Sequence, residues 1–436
     1  GCPKNLVDSE CMGGDLNRAG FRMAASPDGA DFVVINTCGF IADACEESYA
    51  VIEEMLELRR RGKVGGVIVA GCLAERKREE LLAQYPEIDR LVGVFARDEL
   101  VATARQMVAR QSGPQAVFRA PPACPADEAK RLRLTPRHVA YLKIAEGCNR
   151  LCSFCTIPSI RGPYTSKPLD QVVREAEQLA ADGARELVLI AQDTSFYGRD
   201  LQDRPQLAEL LQRLNQIDGL RWIRLMYLYP THVGDELIRA INASERVVPY
   251  LDLPLQHISD PVLQRMRRRV SRADTESLLD RLRAEIDRLI LRTTFIVGFP
   301  GETEEQFAEL REFVGARRFE RMGVFTYRDE PDTAAEQLDG KVPEDVMVRR
   351  QGELMALQQG IAFDWCDRQV GQTVDVLIDR CIPGEKRAFV GRTYADAPEV
   401  DGVVYVTGTG LAPGRIAPCE IVARKEYDLI AAYDAT

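Results

Sequence analysis

Over the first 111 residues, short apolar runs alternate with longer stretches patterned like helices. The runs are 31–36 (DFVVIN), 66–71 (GVIVAG) and a weaker one at 90–94. Short apolar runs separated by helical periodicity predict βαβ units around a small parallel sheet. Residues 112–137 (SGPQAVFRAPPACPADEAKRLRLTPR) hold five prolines in 26 positions and read as a linker. From 138 to 365 come six apolar runs, each followed by an amphipathic segment: VAYLKIA (139–145), ELVLIAQ (186–192), IRLMYLY (223–229), VPYLDLPL (248–255), TTFIVGF (293–299) and MGVFTYR (322–328). Six β-then-α repeats predict a partial (β/α)6 barrel, whose chemistry belongs at the carboxyl ends of its strands. Between 367 and 436 the pattern changes to short alternating strands with Gly and Pro turns (TVDVLID, RAFVGRT, VVYVTG, CEIVARKEYDLIAAY), as in a small OB-like β-barrel. The class is therefore α/β, in three regions, and 436 residues suit about three domains of roughly 150 residues.

Composition narrows the function classes. Hydrophobic residues at 45% and charged residues at 28% exclude a disordered or fibrous chain. No apolar stretch approaches the roughly 20 residues of a membrane span, and no basic segment followed by an apolar one marks a secretory signal. The expected location is the cytoplasm. An opening Gly in place of Met leads to the expectation that a few N-terminal residues are missing. The 67 acidic residues outnumber the 57 basic ones, giving −10, a balance better suited to a basic partner than to nucleic acid. In a reducing compartment, twelve cysteines point to metal or cluster ligation rather than disulfides.

The strongest chemical signal is GCNRLCSFC, which puts Cys148, Cys152 and Cys155 in a CxxxCxxC loop after the first barrel strand. Three soft thiolates on one loop suit three corners of an iron-sulfur cubane and leave the fourth iron open. An open iron can chelate the amino and carboxylate groups of S-adenosylmethionine (SAM) and pass an electron into its sulfonium. A zinc site would call for a second pair of ligands nearby, and the sequence has none. A second set is dispersed: Cys2 at the start, Cys38 after DFVVIN and Cys72 after GVIVAG. Residues just beyond neighbouring parallel strands converge on one sheet edge, so these three could share a ligand; each could equally be a small buried hydrophobe. Cys11, Cys45, Cys124, Cys366, Cys381 and Cys419 match no ligand spacing and read as packing or surface residues.

The segments GCNRLCSFCTIPSIRGPYTSK, LIAQDTSFYG, YLDLPLQHISDPVLQRMRRR and TFIVGFPGET resemble the radical SAM methylthiotransferases, and the likeness runs through all three regions. The resemblance implies two 4Fe-4S clusters, one on Cys148, Cys152 and Cys155 and an auxiliary one on Cys2, Cys38 and Cys72 through which sulfur is delivered. It also implies SAM contacts from Phe154 (adenine), from Gln192 and Asp193 (the methionyl or ribose end), and from Thr294 and Gly298. The C-terminal barrel would be of the TRAM type. Where the family pattern often has Arg after the serine of RGPYTS, this chain has Lys167, also cationic.

Weaker signals are local. His257, in LPLQH after the fourth strand, could bind a ligand or play a structural part, whereas His138 and His232 read as structural. The run Arg265, Arg267, Arg268 and Arg269 reads as a solvated helical face that could also meet a carboxylate. GFPGE (298–302) lacks the Lys and the spacing of a phosphate loop, and Glu302 and Glu304 read as favouring the following helix N-terminus. For substrate, the opening GCPKNLVDSE resembles the branch that modifies an aspartate β-carbon of a basic small-subunit ribosomal protein. The C-terminal region agrees: 11 acidic against 8 basic residues, net −3, is a poor surface for tRNA phosphates. Such a reaction would draw on an electron donor such as flavodoxin and on a sulfur donor. A tRNA adenosine methylthiotransferase and a non-catalytic iron-sulfur carrier are the alternatives.

Overall fold

A computed structural model describes every residue except 203, 435 and 436. It contains two compact units. One comprises Gly1–Leu134, Lys143–Gln171 and Arg328–Glu336; the other comprises Thr135–Leu142, Val172–Tyr327 and Gln337–Thr436.

The first unit opens with α1 (Pro3–Arg18) and continues through β1 (Val33–Thr37), α2 (Ala42–Arg60), β2 (Val67–Gly71), α3 (Cys72–Gln84), β3 (Arg90–Val92), α4 (Leu100–Val108) and β4 (Ala116–Val117). The four strands form a parallel sheet in that order. Strand alternation sorts its core onto two faces. Val67, Val69 and Leu91 pack with Ile52, Leu56 and Leu73 on one side, and Ile68, Ala70 and Val92 with Met12, Leu16 and Leu100 on the other. Strand β4 falls within the segment read as a linker. It gives Leu91 N–H and Gly93 N–H acceptors in Gln115 O and Val117 O, at 2.7 and 2.9 Å, so the β3 edge does not lack backbone partners.

Strand β5 (Val139–Lys143) is followed, in the first unit, by β6 (Ala145–Glu146), α5 (Ile157–Arg161) and β7 (Thr165–Ser166). Antiparallel pairing of β6 with β7 closes the base of the loop that carries the CxxxCxxC cysteines.

In the second unit β5 is joined by β8 (Glu186–Ile190), β9 (Trp222–Leu225), β10 (Val247–Asp252), β11 (Ile290–Val297) and β12 (Arg321–Thr326). Their order, β12-β11-β10-β9-β8-β5, adds each successive strand at one edge, and the six strands coincide with the six apolar runs. The 26-residue helix Glu344–Gln369 then leads to a closed barrel of β13 (Thr373–Cys381), β14 (Ala388–Arg392), β15 (Val404–Thr407), β16 (Ile416–Lys425) and β17 (Asp428–Ala432). Buried polar contacts bolt the barrel to the strands: Arg321 Nη2 to Asp396 Oδ1 at 2.6 Å, and Tyr250 Oη to Asp401 Oδ2 at 2.7 Å. Among the described residues no helix is long and apolar enough to cross a membrane.

Candidate metal centre

Both cysteine triplets lie in the first unit. Cys72 follows Gly71, whose φ of +95° turns strand β2 into helix α3; a Cβ there would sit 2.3 Å from Asn36 Oδ1 and 2.6 Å from Thr37 O. Cys148 follows Gly147, with φ of +78° and a hypothetical Cβ 2.1 Å from Pro163 O. In each case only glycine gives the backbone that geometry, and the thiol comes immediately after it.

The parallel register sets Thr37 opposite Gly71, so Cys38 and Cys72 follow paired positions at the carboxyl end of the sheet. Cys2 is brought to the same edge as the N-cap of α1, whose first turn is stitched to the end of β1. Asn5 Nδ2 donates to Thr37 O at 3.1 Å, and Asn36 Nδ2 donates to Asn5 O at 2.8 Å and to Ser9 Oγ at 2.7 Å. Ser48 holds Cys38 by both backbone groups: its Oγ accepts from Cys38 N at 3.0 Å and donates to Cys38 O at 2.9 Å. Cys72 is buried, which pushes its thiol up to about 11, while Arg161 pulls the other way and the charge of Cys2 adds to the rise. Arg161 Nη2 lies 3.0 Å from Cys72 Sγ.

In the loop triplet Cys148 is buried and Cys152 and Cys155 are half-buried. Cys148 N donates to Gly162 O at 3.1 Å, Arg150 N to Cys148 Sγ at 3.3 Å and Cys155 N to Cys152 O at 3.2 Å. Phe154, between the last two cysteines, is half-buried. A strap at 328–336 fixes the loop from outside: Ala335 N donates to Ser153 O at 2.8 Å, while Glu330 accepts from Ala42 N at the start of α2 and from Arg76.

Below the thiols is a buried ion network. Lys143 Nζ lies 2.9 Å from each of Asp8 Oδ1, Glu146 Oε2 and Glu128 Oε1, and Lys167 Nζ lies 2.9 Å from Glu128 Oε2. Burial raises the cost of the Glu128 carboxylate, but Lys143, Lys167 and Arg97 outweigh it and hold the group well below its ordinary range. Lys167 is thus a partner of Glu128, a residue of the Pro-rich segment.

Among the described residues no three Cys, His, Asp or Glu side chains close in on one point as ligands of a single metal ion. A mononuclear zinc site needs that convergence; a cubane takes each of three thiolates on its own iron. The donor sets fit clusters by chemistry, with three thiols in each set and one loop carrying all three of the first. The remaining cysteines lie outside both triplets. Burial pushes Cys11 up to about 12 and Cys366 and Cys419 to about 11, which keeps them protonated, while Cys124 and Cys381 are exposed.

The other expected site residues sit at the carboxyl ends of strands in the second unit. Gln192 and Asp193 follow β8, and Asp193 Oδ1 accepts from Ser195 Oγ at 2.7 Å. The LPLQH segment runs beside β11, with Gln256 N donating to Thr294 O at 2.8 Å, so His257 lies near Thr294 and Gly298. His257 is fully buried: its Nδ1 accepts from Ser259 N at 3.0 Å, which leaves Nε2 to donate to Glu302 Oε1 at 3.4 Å. The other oxygen of Glu302 accepts from Gly298 N and pairs with Arg350. Glu302 therefore locks the GFPGE turn instead of serving the next helix, whose start is already satisfied by a capping box of Thr303 and Gln306. In the arginine run Arg265, Arg267 and Arg269 are exposed, as the pattern implied, and Arg268 alone is buried. Arg268 lies over the Tyr229 ring and donates to Pro254 O, and Arg265 donates to Pro300 O. His138 pairs with Asp379 at 2.9 Å.

The sequence reading missed Asn5, Asn36, Ser48, Arg161 and Glu330. GCPKN and NTC carried a signal for the first two, lying as they do beside candidate ligands.

Three successive segments of the chain match known protein families. Residues 142–314 match the radical SAM superfamily, 1–93 the uncharacterized protein family UPF0004, and 370–433 a TRAM domain. Over 431 residues the chain is 43% identical to a ribosomal protein uS12 methylthiotransferase RimO of Lachnoclostridium phytofermentans, covering 99% of this chain and 97% of that protein. It is 44% identical over 431 residues to a protein of the same name from Pelotomaculum thermopropionicum, covering 98% and 96%. The solved radical SAM methyltransferase TsrM of Kitasatospora setae, with cobalamin and a 4Fe-4S cluster bound, shares the fold at a TM-score of 0.55 and 17% identity, over 76% of this chain and 71% of that one.

Proposed function

The chain belongs to the RimO family of ribosomal protein uS12 methylthiotransferases, within the radical SAM superfamily, and from this membership we propose that it transfers a methylthio group to the β-carbon of one aspartate of uS12. The observation that carries the reading is the presence of two cysteine triplets in one compact unit, joined by Arg161, which follows the loop of one and touches Cys72 of the other. When bound, two 4Fe-4S clusters and SAM supply the electron transfer, hydrogen abstraction and sulfur that no side chain can provide.

The protein's part is to hold and orient. Cys148, Cys152 and Cys155 would bind the cluster that SAM engages; Cys2, Cys38 and Cys72 would bind the second. Phe154, Gln192, Asp193 and Thr294 would contact SAM, with Gly298 offering close backbone approach and His257 fixing that turn through Glu302. Gly71 and Gly147 set the direction of two ligands, and the β6–β7 hairpin with the 328–336 strap keeps the loop from opening. The net −3 of the C-terminal region favours a basic protein over tRNA. An electron donor such as flavodoxin, a sulfur donor and a cytoplasmic location complete the proposal.

Mass spectrometry of uS12 from cells with and without the gene tests it. One methylthiolated aspartate that vanishes on deletion is the expected result. Unmodified uS12 in both strains together with loss of a modified tRNA adenosine would replace this reading with the tRNA one, and failure to release deoxyadenosine from SAM under strong reductant would leave an iron-sulfur carrier.

A further inference from the structure

Arg161 has an unusual pair of neighbours. Its Nη1 is held by Asp8 Oδ2 at 2.7 Å and Glu146 Oε2 at 3.3 Å, while Nη2 reaches Cys72 Sγ at 3.0 Å. The two carboxylates also share Lys143, so the guanidinium is clamped at one end and aimed at sulfur at the other. The residue is 2% exposed, which removes the water that would screen its charge. Its position in the chain ties it to the other triplet as well. It ends α5, six residues after Cys155, and the carbonyl of its neighbour Gly162 accepts from Cys148 N at 3.1 Å.

We propose that Arg161 is a positioning residue that sets the reduction potential of the cluster on Cys2, Cys38 and Cys72, by donating a charge-assisted hydrogen bond to the Cys72 sulfur. The inference rests on the proposed two-cluster reading. Hydrogen bonds to cluster sulfurs and nearby charge are among the levers that set such potentials. Reduction adds an electron to a buried group, and a fixed cation 3.0 Å from one ligand stabilises that added charge. Asp8, on the far side of the guanidinium, acts in the opposite sense, because its negative charge opposes the same electron.

The opposed signs make the test. The parent is the full chain with Cys148, Cys152 and Cys155 replaced by Ala, reconstituted anaerobically so that one cluster remains, and titrated by electron paramagnetic resonance. Arg161→Met is expected to move the midpoint to more negative potential by about a tenfold change in the reduced-to-oxidised ratio, ~59 mV for one electron. Arg161→Lys, which keeps the charge, is expected to recover part of that shift. Asp8→Asn, which keeps shape and acceptor, is expected to move the midpoint the other way. If Arg161→Met fails to hold a cluster, the Lys and Asn variants decide the matter. Equal midpoints throughout, or shifts of one sign for Arg161→Lys and Asp8→Asn, would overturn the proposal while leaving the two-cluster reading intact. A parent that binds no cluster at all would overturn that reading too.

Discussion

Each unit buries a set of paired charges, and the two sets end differently. In the first, Asp8, Lys143, Glu146, Glu128 and Lys167 form a chain that leads through Arg161 to a cysteine sulfur. In the second, Glu186 holds Arg224 at 2.7 Å and Arg392 at 2.8 Å, Arg392 holds Asp379, and Asp379 holds His138 at 2.9 Å, a chain in which every member pairs with protein. Buried ion pairs gain little net stability over apolar packing of the same volume. Their value lies in where they fix things: the second network pins the small barrel to β8 and β9, and the first aims a cation at the Cys72 sulfur. The difference teaches that similar buried electrostatics join elements in one place and reach a candidate ligand in another, and that the termination of the network tells them apart.

That contrast can be broken most forcefully at the cysteines. Replacing Cys148, Cys152 or Cys155 by Ala is expected to reduce both deoxyadenosine release and uS12 methylthiolation to background. The same assay on Glu186→Gln is expected to show both products, because the second network has no part in the chemistry. Glu186→Gln should instead cost stability, about 3–5 kcal/mol in a denaturant titration, because it leaves the buried Arg224 without its carboxylate while Arg392 keeps only Asp379. Iron content that fell with it would join the two networks in a way the account does not allow. A smaller effect is expected from Gly147→Ala. The added methyl meets Pro163 O and the φ of +78° becomes strained, costing about 1–3 kcal/mol and lowering iron at the loop triplet, as metal analysis would register.

The smallest difference is expected with acid. Glu128 in the first unit and Asp379 in the second both have carboxyls held below their ordinary values of 4.5 and 3.8. In each case burial opposes the shift; Lys143 leads for Glu128, and the His138 hydrogen bond with the Arg392 charge outweighs it for Asp379. The folded state therefore binds these protons less tightly than the unfolded chain. Their contribution is full above the ordinary values and is lost as pH falls through the lower, folded ones. Near-ultraviolet circular dichroism should stay flat from neutral pH down to about 4.5 and change only below it.

Much of this was legible along the chain, for identifiable reasons. The six strands of the central sheet and the barrel strands announce themselves because continuous or alternating apolar runs have few other uses. The placement of Cys38 and Cys72 at one sheet edge followed from the rule that residues just beyond neighbouring parallel strands converge there, and the register bears that placement out. What escaped were contacts made at a distance by residues whose local sequence looks ordinary. Glu128 lies among prolines and alanines and reads as exposed, yet two lysines and an arginine bury it. Glu330 reaches α2 from nearly 290 positions away. Arg161, in IPSIRG, has no signature of its own; its contact with Cys72 appears only when α5 and α3 are folded together. Glu302 was misread because a carboxylate before a helix usually serves that helix, whereas here Thr303 had already taken the cap.

Each triplet is proposed to carry one cluster, both within the first unit. Iron and acid-labile sulfide counted on the anaerobically reconstituted chain, on its Cys148/Cys152/Cys155→Ala form and on its Cys2/Cys38/Cys72→Ala form test it most directly. The account predicts about eight irons per wild-type chain and about four in each triple variant. A wild-type chain with about four irons, or either triple variant with the full wild-type count, would contradict it.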